Sequence, residues 1–294
     1  MVTFYRRLPK FDYVKPKSMN EALDLLKENR DGALRVYAGG TDLIPKLKSR
    51  LLKVPKVLVD LKGIPDLDCV SYTESSGLKI GALATISEVV HAAAVKEKYP
   101  ILFQAGSSIA STQIQNRGTI AGNICNAVPS ADSAPALLCL GATVLCVSPR
   151  GERRIGLEAF FSGPNETVLN GDELVKEIQI PPVSKNSKGV YIKLSPRSKM
   201  DLAVVGVAAL VRRENGALRD VRIGLGAVAP TPMRAKEAEK LLTGEKPSDK
   251  VIEEAARVAS EESKPIDDHR ASAEYRRLMV EVLVKRAVRQ IVSN

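Results

Sequence analysis

The first part of the chain alternates between helical and strand-like hydrophobic patterns. Ser18 and Glu21 have the spacing of a capping box, in which hydroxyl and carboxylate satisfy each other's backbone donors, and the following ALDLLKEN predicts an amphipathic helix. LRVYAGG (34–40) and VLVDL (57–61) predict short buried strands, with a helical turn, TDLIPKLKSRL, between them. The predicted order is therefore helix, strand, glycine-rich turn, helical turn, strand.

The middle of the chain continues this mixture. After Gly77, LKIGALAT predicts a strand, ISEVVHAAAVKE a helix and residues 101–111 a further helix. APALLCLGA then predicts a buried helix, TVLCVSP a strand, and GERRIGL a turn leading into another strand. Pro164 and Asn165 indicate a loop, and a last strand ends at Pro181 and Pro182.

The pattern changes near residue 185, where SKNSKG (184–189) has the composition of a linker or hairpin tip. Beyond it, YIKLS, LAVVGVAALVRR and LRDVRIGLGAV predict strands, and residues 232–242 and 248–263 predict helices. The final AEYRRLMVEVLVKRAVRQIV has apolar residues three and four positions apart, which predicts an amphipathic helix lying over those strands. We therefore expect an α+β protein with a domain boundary near residue 185.

Composition narrows the class of protein. A chain of 294 residues, 44% hydrophobic and 27% charged, can bury a substantial core, and no apolar run approaches the roughly 20 residues that span a bilayer. The N-terminal MVTFYRRLPKFDY has basic residues without a following apolar segment, so no secretory signal is predicted. We expect a protein of the cytoplasm with no membrane span.

The positive charge raises the question of a partner. The 44 basic and 34 acidic residues give a net charge of +10. Nucleic acid is disfavoured because the basic residues are scattered, aromatic residues are only 4% and tryptophan is absent, whereas single-strand binders interleave basic and stacking residues. A basic surface that docks an acidic protein or attracts anionic ligands is the favoured interpretation.

The usual catalytic groups are scarce. His91 lies in an apolar helical run and His269 in a charged turn, and neither has the surroundings of a metal ligand or a triad base. The four cysteines, Cys69, Cys125, Cys139 and Cys146, form no C-x-x-C pair and are expected to be reduced and mostly packed. We predict no catalytic side chain and no metal site in this chain.

Two glycine-rich turns remain, Ala38-Gly-Gly-Thr-Asp42 and Thr119-Ile-Ala-Gly-Asn123. Glycines let backbone N–H groups approach a ligand without an intervening Cβ, as phosphate-binding nests require. If both turns face one cleft, they can hold the two ends of a pyrophosphate, while Asn123 and Asp132 offer groups for ribose hydroxyls or a base edge. The alternative is that each turn merely punctuates the chain before a helix. A dinucleotide is the predicted ligand.

The turns and several further segments carry a family resemblance. A-G-G-T-D-L and T-I-A-G-N-I-C-N-A-V-P-S-A-D-S-A-P-A-L resemble the two FAD-binding signatures of the flavoprotein (medium) subunits of the molybdenum hydroxylases, a group that includes xanthine dehydrogenases and aerobic carbon monoxide dehydrogenase. The supporting matches are F-D-Y-V-K-P-K-S-M-N-E-A-L-D-L-L (11–26), I-G-A (80–82) with Thr85, Q-I-Q-N-R-G (113–118), M-D-L-A (200–203) and A-P-T-P (229–232). The resemblance covers nearly the whole chain.

The resemblance implies a set of FAD contacts. The residues that it places on the FAD pyrophosphate are Ala38, Gly39, Gly40, Thr41 and Asp42. Those that it places on the flavin side and the phosphates are Thr119, Ile120, Ala121, Gly122 and Asn123. Asp132 matches an acid near the ribitol or ribose hydroxyls, and Ile114 and Leu202 match apolar positions that pack on the isoalloxazine ring. Ala121 departs from the family's usual glycine, which a negative φ would allow.

The resemblance also implies an architecture and a role. The implied fold is a two-lobed α/β FAD-binding domain of the PCMH, or vanillyl-alcohol-oxidase-like, type at residues 1–183, with lobes meeting near residue 62, and a C-terminal domain of β-sheet and helices at residues 188–294. Electrons would pass from a molybdenum cofactor on a large subunit through [2Fe–2S] clusters on a small subunit to FAD here, and then to NAD⁺ or another acceptor. A heterotrimer, or a dimer of heterotrimers, is implied.

The cysteines raise the question of an additional cofactor. Some aromatic acyl-CoA reductases of the family carry an additional iron–sulfur cluster on an insertion. Residues 123–144 run without such an insertion here, and Cys125, Cys139 and Cys146 are predicted to be structural.

Two alternatives in function stay open. One is a stand-alone FAD-dependent oxidoreductase, which would need its own substrate base, and the other is an interaction protein that has lost FAD.

Overall fold

The computed structural model describes residues 7–27, 32–198 and 200–293. Within these ranges the chain forms three main β-sheets, one small hairpin and eleven α-helices. Helices and strands are mixed along the whole chain, so the expected α+β class is confirmed.

The first sheet is small and parallel. Its three strands lie in the order β1–β3–β2. Parallel strands need crossover connections, and a helix supplies each one. The strands are β1 Asp12–Val14, β2 Leu34–Tyr37 and β3 Val57–Asp60, and the connecting helices are α1 Met19–Lys27 and α2 Leu43–Lys48. The apolar face of α1, with Ala22, Leu23 and Leu26, packs in one cluster with Val59 of β3.

Helix α1 begins where the sequence predicts, but its cap is bonded differently. The Ser18 hydroxyl accepts the Glu21 N–H at 3.2 Å, as expected. The Glu21 carboxylate, however, accepts the N–H of Lys17 at 2.8 Å, one residue before the predicted donor. The reciprocal capping box is therefore wrong in one of its two bonds, because the long glutamate side chain reaches past Ser18.

The second sheet is antiparallel and has five strands in the order β4–β5–β10–β6–β7. Its strands are β4 Val70–Thr73, β5 Gly77–Gly81, β6 Thr143–Ser148, β7 Gly151–Gly156 and β10 Leu174–Ile180. A separate hairpin follows β7 and comprises β8 Phe161–Gly163 and β9 Glu166–Thr167. The strand β10 returns to the middle of this sheet, so residues far apart in the chain share its core.

Six short helices lie between β5 and β6. They are α3 Ile86–His91, α4 Ala93–Lys98, α5 Pro100–Ser107, α6 Thr112–Gln115, α7 Ile120–Cys125 and α8 Ser133–Cys139. The single helix predicted over ISEVVHAAAVKE is broken, because Ala92 is extended with a ψ of 129°. The helix predicted at 101–111 ends at Ser107, and Ala110 has a φ of +46°. The break at Ala92 has neither a glycine nor a proline beside it.

The third sheet is an antiparallel meander covered by three helices. Its strands are β11 Ser187–Leu194, β12 Val205–Glu214, β13 Ala217–Gly226 and β14 Met233–Arg234. The helices are α9 Lys236–Leu242, α10 Asp249–Glu262 and α11 Ala273–Ser293. The helix predicted from Pro232 starts four residues late because Met233 and Arg234 pair with β13. The predicted packing of the last helix over the strands is confirmed.

Helix α8 joins the second sheet's region to the third sheet. A Cβ on Gly224 of β13 would lie 2.4 Å from the Pro135 carbonyl oxygen, so glycine permits a close approach. The Cys139 thiol contacts the carbonyl oxygens of Ala208 and Arg222 at 3.5 and 3.6 Å. The segment that precedes α8 carries the second glycine-rich turn, so this packing fixes that turn against the third sheet.

The helices α9, α10 and α11 form one apolar cluster with the strands of the third sheet. Among the residues described, no helix is long and apolar enough to cross a membrane. The longest, α11, has 21 residues and buries Val280, Val284 and Val288 along one face.

Candidate dinucleotide-binding site

The first glycine-rich turn connects β2 to α2. Gly40 has a φ of +73°, a left-handed conformation that favours glycine, and a Cβ there would lie 2.2 Å from the ring of Tyr37. Gly39 has no such φ, but a Cβ on it would lie 2.0 Å from the Arg117 carbonyl oxygen. Both glycines are therefore required by shape, one by its backbone and one by its neighbour.

The second turn is the beginning of α7. The hydroxyl of Thr119 caps this helix by accepting the Gly122 N–H at 2.9 Å. Ala121 lies in the first turn of the helix with right-handed helical geometry, and its side chain packs in the core. The methyl group at the position where the family usually has glycine is thus accommodated without backbone strain.

The two turns touch each other. Gly39 packs against the backbone of Arg117 and Gly118, and a Cβ on Gly118 would meet the Thr41 hydroxyl at 3.2 Å. A lysine of α2, Lys46, adds a second link by donating to the Asn126 side-chain oxygen at 2.5 Å, just after α7. The structure therefore places the first turn against the residues that directly precede the second, as a shared cleft would require.

The first turn presents unused backbone donors. In the described part of the chain, the N–H groups of Gly39, Gly40, Thr41 and Asp42 have no protein acceptor. Ala38 through Thr41 are partly exposed and Asp42 is exposed. A row of unpaired, accessible N–H groups is the arrangement that binds phosphate oxygens.

Asp132 lies in a buried polar cluster behind the second turn. Its carboxylate accepts the Tyr191 hydroxyl at 2.7 Å and the Lys193 ammonium at 2.9 Å, and the Asp132 and Lys193 side chains are 8% and 6% exposed. Burial raises the pKa of Asp132, opposed by Lys193 and Tyr191, and burial raises the pKa of Tyr191 well above its usual value. The cluster links Asp132, at the start of α8, to β11 of the third sheet.

The predicted apolar contacts for a ring are exposed. Ile114 on α6 is 38% exposed and Leu202, between β11 and β12, is 53% exposed. Single exposed apolar side chains are common on protein surfaces, so the contact of these two with a ring stays a prediction. Asn123, the last residue of the second turn, is held by the Ser133 hydroxyl, which donates to its side-chain oxygen at 2.6 Å.

All four cysteines are free. Burial raises the pKa of Cys125 and Cys139 to about 12 and of Cys146 to about 11, so these thiols are protonated at neutral pH. Across the described ranges, no group of three metal-ligating side chains is close enough to hold a metal ion.

Three lysines contribute to the site in ways the sequence analysis missed. Lys62 donates to the Ala38 carbonyl oxygen, Lys46 to Asn126 and Lys193 to Asp132, across 24, 80 and 61 positions of sequence respectively. No local pattern encodes such contacts. The only local indication was the position of Lys62, two residues after Asp60 and just beyond a predicted strand.

Two protein families match the chain in succession. The family described as "FAD binding domain in molybdopterin dehydrogenase" matches residues 9–183. The family described as "CO dehydrogenase flavoprotein C-terminal domain" matches residues 190–291. Together they account for nearly all of the sequence.

Individual relatives agree with these matches. The glyceraldehyde dehydrogenase medium chain of Sulfolobus acidocaldarius is 36% identical over 283 residues, covering 96% of this chain and 99% of that one. The carbon monoxide dehydrogenase medium chain of Hydrogenophaga pseudoflava is 32% identical, covering 95% and 96%. A chain of the reconstituted CO dehydrogenase from Oligotropha carboxidovorans superposes with a TM-score of 0.93 at 33% identity, covering 98% and 99%.

The fold and the paired turns define a nucleotide-binding flavoprotein chain. Because both family matches occur in order over almost its whole length, the chain belongs to the family of FAD-binding medium subunits of the molybdenum hydroxylases. Its relatives are dehydrogenase subunits, so it is an oxidoreductase subunit. The residues present fit FAD, because the first glycine-rich turn presents four consecutive N–H groups that have no protein acceptor among the described residues.

Proposed function

We propose that this chain is the electron-transfer subunit of a multi-subunit molybdenum hydroxylase. Electrons would arrive from [2Fe–2S] clusters on a small partner subunit and leave for NAD⁺ or another acceptor. When bound, FAD supplies the redox chemistry, and the protein supplies position and electrostatics. The observation that supports the proposal most is the direct contact between the turns at Gly39 and Gly118.

The first turn would hold the pyrophosphate. Among the described residues, four consecutive N–H groups after Ala38 have no protein acceptor, and the Thr41 hydroxyl adds a further donor. Backbone N–H groups suit this task because they bind phosphate oxygens without carrying a net charge. The residues assigned to this contact are Ala38, Gly39, Gly40, Thr41 and Asp42.

The second turn would contact the flavin side and the phosphates. At the start of α7, the Gly122 N–H is bonded to the Thr119 hydroxyl and the Asn123 N–H to the Thr119 carbonyl, whereas the Ala121 N–H has no acceptor among the described residues. Asn123 has its amide orientation fixed by Ser133, which prepares it for a ligand contact. The residues assigned here are Thr119, Ile120, Ala121, Gly122 and Asn123.

Three further side chains complete the proposed site. Ile114 and Leu202 would cover the isoalloxazine ring, which would remove their exposed apolar surface from water. Asp132 would accept a ribitol or ribose hydroxyl. A carboxylate has about four lone-pair positions, so the bonds from Tyr191 and Lys193 orient Asp132 without exhausting it.

We also propose the division of the chain and its assembly. Residues 1–183 would form the FAD-binding domain, with two lobes that meet near residue 62, and residues 188–294 the C-terminal domain. The partners would be a large subunit with the molybdenum cofactor and a small [2Fe–2S] subunit, in a heterotrimer or a dimer of heterotrimers. Four free thiols favour a reducing compartment, so the complex is assigned to the cytoplasm.

The test is isolation of the chain from its own cells under conditions that preserve complexes. The proposal predicts two companion chains, a visible spectrum with flavin and iron–sulfur absorbance, and molybdenum in the large companion. A lone polypeptide that carries flavin and is reduced by a substrate would instead identify a stand-alone oxidoreductase. Companion chains without any flavin would contradict the assignment of FAD to this subunit.

A further inference from the structure

Lys62 lies at the base of the first glycine-rich turn with its ammonium group held on three sides. Its Nζ donates to the Ala38 carbonyl oxygen at 2.9 Å and to Asp60 Oδ1 at 2.7 Å. It also lies 3.7 Å from the centroid of the Tyr37 ring, within the range of a cation–π contact. The side chain remains 32% exposed. Lys62 therefore joins the end of β3 to the end of β2 through a fixed cation.

Asp60 provides the anchor for this cation. Its side chain is 2% exposed, and it accepts the Lys62 N–H at 3.0 Å and the Tyr13 hydroxyl from β1. Burial alone would raise the pKa of Asp60, but the hydrogen bonds from Lys62 and Tyr13 outweigh it and lower that pKa. The hydrogen bond between the Tyr13 hydroxyl and Asp60 raises the pKa of Tyr13 to about 12. Asp60 is thus ionised at neutral pH and holds Lys62 in place.

The peptide between Ala38 and Gly39 carries the effect of Lys62 into the turn. In a trans peptide the carbonyl and the N–H point in opposite directions, and the described residues contain no cis peptide. When Lys62 fixes the Ala38 oxygen on one side, it also fixes the direction of the unpaired Gly39 N–H on the other. A charged donor on the carbonyl polarises the peptide and strengthens that N–H as a donor.

Positive charge is concentrated around this position. Burial lowers the pKa of Lys62, Asp60 opposes that effect, and the charges of Arg117 and Lys15 lower the pKa further. Arg117 belongs to the segment that packs on Gly39. Three cations thus converge near one turn beside one buried carboxylate, an arrangement that a bound anion relieves.

We propose that Lys62 is a positioning residue for the FAD pyrophosphate, which it serves by fixing the Ala38–Gly39 peptide and by supplying one positive charge beside the turn. This inference rests on the proposed function of the same site. Tyr13 and Asp60 support it by holding the ammonium group.

The test compares the full chain with the variants Lys62→Met, Lys62→Arg and Lys56→Met after removal of flavin. Lys56 has the same charge and directly precedes β3. Within the described ranges its side chain makes no hydrogen bond or ion pair, so Lys56→Met is the matched control. The probes are FAD and ADP, which share the pyrophosphate. The readouts are the dissociation constants at low and high salt and the thermal unfolding of the flavin-free chain.

The expected result for Lys62→Met is a loss of affinity for both probes of about tenfold or more, because a charge-assisted hydrogen bond and its positive charge are removed. Its affinity should also fall less with added salt than that of the parent chain. Lys62→Arg should recover part of the loss, and Lys56→Met should stay within about twofold.

Binding of FAD by Lys62→Met within about twofold of the parent would overturn the inference. An equal loss in Lys56→Met would do the same, because net charge alone would then be responsible. If Lys62→Met does not fold, the same measurements are made on Lys62→Gln. A dissociation constant for FAD that depends on salt in Lys62→Gln as it does in the parent chain would count against the role of Lys62. Failure of the parent chain to bind FAD would refute the proposed function instead.

Discussion

At the scale of single residues, the site depends on places where a side chain cannot fit. Gly39 adopts a backbone conformation open to any residue, yet its hydrogen faces the Arg117 carbonyl oxygen so closely that a Cβ would collide with it. The contact joins the two turns directly. A methyl group there would separate them while leaving the chemistry of every side chain unchanged.

We predict that Gly39→Ala weakens FAD binding by about tenfold or more, because the two turns must move apart to admit the methyl group. FAD titration of the flavin-free variant measures this. Gly156→Ala is the matched control, since Gly156 has a φ of −59° and open space around its missing Cβ. Equal affinity in the Gly39 variant and the parent would mean that the contact between the turns does not matter for the ligand.

The ionisation of Asp60 gives a pH-dependent prediction. Its pKa is lower in the folded chain than the ordinary value of 3.8, so the stability it contributes is present above that value and is lost as the pH falls through the folded pKa. We expect Asp60→Asn to reduce the free energy of unfolding at about pH 7 and to differ less from the parent at about pH 3.

Denaturant unfolding at several pH values measures this difference. Asp24→Asn is the control, because Asp24 pairs with Lys27 at the surface, with side chains 66% and 53% exposed. A difference between Asp60→Asn and the parent that stays constant down to low pH would contradict the role given to this carboxylate.

At the residue scale, the sequence predicted the backbone of the site better than its cations. The turns at 38–42 and 119–123 were predicted from their glycines, because glycine adopts backbone conformations and permits close approaches that other residues do not. Lys62, Lys46 and Lys193 were not, since each reaches a partner that only the fold brings near. The FAD contacts assigned to the turns, Ile114, Leu202 and Asp132 stay predictions.

At the scale of elements, hydrophobic periodicity identified the strands and helices more reliably than their ends. Strand β14 has two residues, too few for a periodic pattern, and it lies where a helix was predicted. The break at Ala92 has no glycine or proline to signal it, and alanine is itself a strong helix former, so the local sequence favours an unbroken helix. Tertiary packing, rather than local preference, decides such boundaries.

The packing of α8 on β13 gives a prediction at this scale. Gly224→Ala would place a Cβ 2.4 Å from the Pro135 carbonyl oxygen. We expect a loss of about 1–3 kcal/mol in the free energy of unfolding, as is usual when a tight core is overfilled. Urea unfolding measures it, with Gly156→Ala again as the control. A variant as stable as the parent would show that α8 and the third sheet can move apart without cost.

At the scale of the whole molecule, the segment from α7 to α8 connects two parts of the protein. Its start lies next to the first glycine-rich turn, and α8 packs on the third sheet. The Asp132, Tyr191 and Lys193 cluster ties the same segment to β11. This segment is therefore joined to the third sheet both by packing and by hydrogen bonds.

The most direct test of the central claim is to release and identify the flavin of the natively isolated complex, counted against this chain. We predict about one FAD per copy of the chain, recovered as FAD rather than FMN, because the pyrophosphate is the group that we assign to the paired turns. Companion chains and iron–sulfur clusters in full amount, with no FAD on this subunit, would contradict it.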